Sequence, residues 1–194
     1  MHIIDVLMAL RVAHPFRSRW PSTAIALVVL AAGAGRLHGQ TIAPEYRLKA
    51  AFVSKIPQFV SWPATTRQDR VTICVARPDP FGSALGALVD AESINGRPMT
   101  VRQLDPAAAL EDCGLLFVPA ATRDRKQWLQ CAARFPILTV GESRDFLDLD
   151  GMVNLRIVSG RVRFDINLPA THRAGLQISS QLLRLALSVR GDPS

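Results

Sequence analysis

Few residues in this chain are equipped for chemistry. Of its four histidines, His2, His14 and His38 fall within the first forty residues, which leaves His172 as the one imidazole beyond them. A Ser-His-Asp or Cys-His arrangement needs an imidazole as its base, so a hydrolase here would have to combine His172 with Ser180 or Cys131. A histidine-rich metal centre is excluded. His172 stands in PATHRAG beside Arg173, where a capping or solvent-facing role is the ordinary one, and Ser179-Ser180 reads as a helix start. The stretch VARPDPFGSALGAL is similar in topology to the first unit of a nucleotide-binding sheet. It lacks the G-x-G-x-x-G and G-x-x-x-x-G-K-[ST] spacings that bring backbone up to phosphate. Acid pairs such as Asp148 with Asp150, or Glu111 with Asp112, sit in polar stretches and carry no glycosidase-like signal. The residues therefore imply no catalytic set, no cofactor and no metal, and the chain reads as a non-enzyme.

The concentrated polar chemistry lies instead in VNLRIVSGRVRFDINL, Val153 to Leu168, which reads as two alternating strands about a Ser159-Gly160 turn. A two-residue loop pairs Arg156 with Arg163 and Asn154 with Asp165. One face is then wholly apolar and must meet a core, while the other presents Asn154, Arg156, Arg161, Arg163, Asp165 and Asn167. Like charges set opposite one another cost a few tenths to about 1 kcal/mol. Two readings follow: a solvated face whose arginines reach diagonally to Asp165, or a docking surface for an anion or a protein.

Residues 1–40 resemble a cleavable export signal. Arg11, Arg17 and Arg19 form a basic region, TAIALVVLAAGAG a short apolar core, and small residues near 35–40 a cleavage site. The apolar run is short for a membrane span. Residues 1–40 hold four arginines and one acid, so without them the formal charge falls from +7 to +4. That is too weakly basic for an expected nucleic-acid binder. The remaining chain, residues 41–194, is long enough for one domain. Cys74, Cys113 and Cys131 in an oxidising compartment suggest one disulfide and one thiol. A Cys74 to Cys113 bridge would close a loop of about 40 residues, worth roughly 4 kcal/mol in the chain-entropy model; three buried thiols are the other reading.

The elements that must position these groups alternate in type. Leu48, Phe52, Ile56, Phe59 and Val60 recur at helical spacing between Pro44 and Trp62, with Lys49 and Lys55 elsewhere on the wheel and Pro57 expected to kink or break the helix. Strands are expected at Val71–Ala76, Met99–Leu104, Leu115–Pro119 and Ile137–Val140, with helices at Phe81–Val89, Pro106–Asp112 and Thr122–Arg134 and a helical turn at Ser143–Leu149. This alternation predicts an α/β domain with a mostly parallel central sheet flanked by helices. The C-terminal hairpin adds antiparallel strands, and Ile178–Val189 is expected to close the chain as a helix.

In order, the segments EYRLKAAFVSKIPQFVSWP, VTICVARPDPFGSAL, INGRPMTVRQL, CGLLFV, ILTVGE and GMVNLRIVSGRVRFDINLPATHRAGLQISSQLLRLA resemble the YfiR family of small periplasmic proteins, from about Glu45 to Val189. The resemblance implies a non-enzymatic regulator that binds the periplasmic sensory domain of an inner-membrane diguanylate cyclase. Repression there lowers cyclic di-GMP and restrains biofilm formation, and an outer-membrane peptidoglycan-associated lipoprotein can sequester the repressor. It also implies a Cys74–Cys113 disulfide, and it allows a homodimer. A second family disulfide has no counterpart, since Cys131 stands alone, and Pro57 departs from a helix-compatible position.

The expected partner surface comprises Arg156, Arg163, Asp165, Asn167 and Arg173, with Asn154 bracing Asp165 as a structural residue. The family likewise places an acid at Asp165 and an amide at Asn167. The competing function is a small-solute module of the same fold, whose arginines would grip an anion.

Overall fold

The computed structural model describes residues 43–191, apart from 65, 67, 68, 91, 92, 95 and 107. The expected export segment, residues 1–40, lies outside the described residues. Among those described, no helix is long and apolar enough to cross a membrane.

Helix α1 (Pro44–Lys55) starts on a proline, carries Glu45 in its first turn and Lys55 in its last, and so agrees with the helix dipole at both ends. Pro57 ends it as expected, and a 3₁₀ turn (Ile56–Phe59) leads into β1 (Val60–Ser61). The buried stripe differs from the expected one. Lys49, Ala50 and Val53 face inward, whereas Leu48 is 45% exposed. A partner distant in sequence draws Lys49 in, as described below.

Strand β2 (Val71–Ala76) is buried on both faces, in keeping with its run of β-branched residues. Asp79-Pro80 reads in the sequence as a helix start, but the Asp79 carboxylate accepts the Phe81 N–H at 2.8 Å in a local turn, and α2 (Ser83–Val89) begins after Gly82 at φ 53°. Strands β3 (Ser93–Ile94) and β4 (Arg97–Leu104) form a tight hairpin. The helix expected over Pro106–Asp112 is absent among the described residues there, which run through turns that bury Leu110 and deliver Cys113 to its partner. Tertiary anchoring at both ends outweighs the alanine-rich helical propensity.

Strand β5 (Leu115–Val118) precedes α3 (Arg125–Ala132), which starts three residues later than expected because the segment after β5 is occupied by a turn. After β6 (Leu138–Gly141), the chain turns around Phe146, whose fully buried ring lies against the backbones of Gly141 and Gly151 so closely that neither position has room for a Cβ. Strands β7 (Val153–Val158) and β8 (Arg161–Asn167) follow. Then come α4 (Leu168–Arg173), β9 (Gln177–Ile178) and α5 (Ser180–Leu185), with β10 (Ser188–Arg190) last.

The expected closing helix over Ile178–Val189 is therefore shortened. Ser179 caps α5 by accepting the Leu182 N–H, Ala186 is extended, and Ser188–Arg190 pair in parallel with Asp165–Asn167. The open edge of β8 offers backbone hydrogen bonds that a further helical turn does not.

The main sheet has eight strands in the order β10-β8-β7-β6-β5-β2-β4-β3; β1 and β9 form a separate antiparallel pair. Strands β2, β4, β5, β6 and β7 run parallel, β8 is antiparallel to β7, and β3 is antiparallel to β4. From β2 the chain winds one way to β4, then the other way through β5, β6 and β7, which is the doubly wound order 2-1-3-4-5. One face buries Val71, Ile73 and Val75 with residues of α1 and α2, and the other buries Cys74 and Ala76 with residues of α3 and Phe146. Cys74 and Cys113 form a disulfide with Cα atoms 5.8 Å apart, and Cys131 remains free.

Candidate partner-binding surface

The β7–β8 hairpin has the register that a two-residue loop dictates: Arg156 opposes Arg163, and Asn154 opposes Asp165. Ser159 and Gly160 both take positive φ, at 51° and 71°, as a primed two-residue turn requires. Its apolar face packs as expected, with Leu155 and Phe164 buried and the Phe164 ring centred 4.8 Å from that of Phe52 on α1.

The polar face divides into two zones. Toward the strand ends, Asn154, Asp165 and Asn167 are buried; toward the turn, Arg156, Arg161 and Arg163 are exposed. Strand β6 pairs with β7 only at Val153 and Asn154, and β10 pairs with β8 only at Asp165 to Asn167. Residues 155–164 thus extend past both neighbouring strands, and Val158 is exposed near their tip. Two further exposed apolar residues, Leu185 and Leu187, come from the chain after α4, and the Leu187 N–H donates to the Phe164 carbonyl at 2.8 Å.

The paired arginines are not equivalent. Arg156, with its side chain 49% exposed, donates to Asp165, whose side chain is 8% exposed, at 2.9 and 3.0 Å to the two carboxylate oxygens. Ser188 of β10 donates to Asp165 as well, at 2.6 Å. Arg161 and Arg163 make no ion pair among the described residues. Asn154 is buried opposite Asp165, and its Oδ1 has no hydrogen-bond partner among the described residues.

Asn167 caps α4, its Oδ1 accepting the Ala170 N–H at 3.3 Å, and its amide donates to the Leu147 carbonyl. Arg173 lies in the last turn of α4 and donates to Asp150 at 2.9 Å. A recess of about 480 Å³ brings Asn154, Arg156 and Asp165 together with Arg144 and Arg190. Arg163 lies outside its lining, and so do Asn167 and Arg173; Arg173 lines a separate recess of about 270 Å³. Arg190, which reaches Asp148 at 2.8 Å, belongs to β10, one residue past the expected Ile178–Val189 helix, and Arg144 to a turn with no distinguishing signal.

A second polar cluster was not anticipated. Glu142, just after β6, has a side chain only 3% exposed and pairs with Lys49 of α1, itself 8% exposed. It also accepts the Tyr46 hydroxyl at 3.0 Å and the Ala120 N–H at 3.1 Å. Lys49 stands 4.7 Å from the Tyr46 ring centre. Burial, and then the Glu142 charge, push the Tyr46 phenol well above its ordinary range. With its oxygens engaged by a cation, a hydroxyl and an amide, Glu142 fastens α1 to the carboxyl ends of β5 and β6. Nearby, the Asp145 carboxylate accepts from Arg125 at 3.2 and 3.4 Å.

Among the described residues, no hydrogen bond joins His172 to Ser180 or Cys131, and the Ser180 hydroxyl accepts from Arg184 at 3.4 Å. No group of three or more His, Cys, Asp or Glu residues among them could hold a metal ion.

The fold and surface define a doubly wound α/β domain that carries a projecting, arginine-tipped hairpin. A family model described as YfiR/HmsC-like matches residues 46–187, and the chain belongs to that family. Membership places it among periplasmic regulators of cyclic di-GMP signalling. No curated protein matches the chain.

Proposed function

We propose that the protein is a non-enzymatic repressor that binds the periplasmic sensor domain of an inner-membrane diguanylate cyclase, lowering cyclic di-GMP and biofilm formation. The observation that carries this reading is the hairpin segment 155–164, which extends past the strands on either side with Arg156, Arg161, Arg163 and Val158 exposed. A repressor needs no reactive group; it needs a rigid surface that binds one state of its partner better than the other. The hairpin supplies rigidity through its buried apolar face, cations for an acidic patch, and apolar contact through Val158. Asp165 and Asn167 belong to the same surface as supports: one holds Arg156 in place and the other caps the helix that carries Arg173. An outer-membrane lipoprotein that covers this tip would relieve the cyclase, and a second copy of the chain is a further partner.

In cells holding the cyclase, loss of this protein should raise cyclic di-GMP, and an Arg161→Glu/Arg163→Glu variant should fail to lower it again. Unchanged cyclic di-GMP on loss of the protein would refute the proposal.

The recess with Arg144, Arg156 and Arg190, the last two of them paired with Asp165 and Asp148, is where the one alternative reading would act, the binding of a small anion. That reading requires inorganic phosphate to raise the melting temperature, and Arg190→Ala to abolish the effect.

A further inference from the structure

A doubly wound sheet leaves a crevice at the carboxyl ends of its strands, where successive connections depart to opposite faces. In this order the crevice falls between β2 and β5. A cleft of about 620 Å³ occupies that place: Arg77 and Pro78 follow β2, Thr122 and Arg123 follow β5, and Trp128 and Cys131 belong to α3. Its volume lies in the range typical of small-molecule sites, roughly 300–1,000 Å³.

Two features distinguish it from a passive surface dent. Thr122 is 2% exposed, and its hydroxyl has no hydrogen-bond partner although the residue lines the cleft. A buried hydroxyl left unpaired is costly, so it marks a place where a ligand atom would complete the structure. Trp128 is almost wholly buried in the same lining, beside Pro78 and Leu110. The charges at the rim differ: Arg77 is paired with Asp105 at 2.8 Å, while Arg123 and Asp124 are both exposed and make no ion pair among the described residues.

We propose that this cleft binds a small aromatic carboxylate. The ring would occupy the apolar lining at Trp128, Pro78 and Leu110, the carboxylate would meet Arg123, and a polar ring substituent would satisfy Thr122. The site is remote from the hairpin in sequence and does not rest on the repressor reading.

Cys131 supplies a reporter, since it is the free thiol in the lining. The rate of its alkylation by iodoacetamide should be measured with 4-hydroxybenzoate, with uncharged 4-hydroxybenzamide and with acetate. Saturable protection by 4-hydroxybenzoate alone is expected. Its midpoint should rise roughly tenfold in Arg123→Gln, the scale of one lost charge-assisted hydrogen bond. Thr122→Val should raise it by a smaller factor. Arg123 is exposed, so its substitution leaves the fold intact. No protection by any probe, equal protection by the amide, or an unchanged midpoint in Arg123→Gln would overturn the proposal.

Discussion

Asp165 explains how one arginine tolerates another across the hairpin. The carboxylate draws Arg156 along its own face, and Arg163 is left without an ion pair among the described residues, which is the diagonal relief that the register suggested. The stronger single-residue dependence lies elsewhere, at Glu142. Removing one member of a buried ion pair leaves the other desolvated and uncompensated, so Glu142→Gln should cost about 3 kcal/mol in a urea titration. Tyr46 gives this cluster its pH dependence. Its folded pKa is raised, so the stability it contributes is complete below the ordinary phenol value of 10.0 and is lost as pH rises above it. Tyr46→Phe should therefore cost about 1 kcal/mol at neutral pH and make the alkaline loss of stability shallower. The hairpin register was legible in the sequence because loop length alone sets it. The Lys49–Glu142 pair was not, because its members stand 93 residues apart and a helical wheel assigns a lysine to solvent by default.

At the scale of elements, local pattern succeeded wherever neighbouring structure agreed with it. Strand β2 was legible as a short β-branched run, and Pro57 as the end of the first helix. The C-terminal segment shows the limit. Leu182, Leu185 and Val189 have helical spacing, yet the last of them lies in β10, because the free edge of β8 offered a backbone ladder. The same strand lies beside β8 and brings Ser188 and Arg190 into the recess with Asn154, Arg156 and Asp165, which is why alternation alone overestimated how much of that face meets solvent. The disulfide acts between elements, tying β2 to the turn before β5 across a sequence separation of 39. Cys74→Ala/Cys113→Ala should lose roughly 4 kcal/mol. For a domain of this size that is a fall of roughly 10 °C in Tm, readable by calorimetry.

The whole molecule separates support from display. A mixed sheet covered on both faces holds α1 by the Glu142 cluster and leaves the hairpin tip standing past its neighbours. That an α/β sheet would form was legible from alternating elements; its strand order, and hence both the crevice and the projecting tip, follows from packing that no local window contains. The repressor account depends on that tip. Its most direct test is the affinity of the chain for the purified periplasmic domain of a diguanylate cyclase encoded beside it, measured by titration calorimetry. Arg156→Glu would set a second acid against Asp165 and disturb the fold, so the informative variant is Arg161→Glu/Arg163→Glu, at two exposed positions without ion pairs among the described residues. The account predicts binding by the wild type and at least roughly tenfold weaker binding by this variant at unchanged Tm. Equal affinity of the two proteins for the cyclase domain would contradict it.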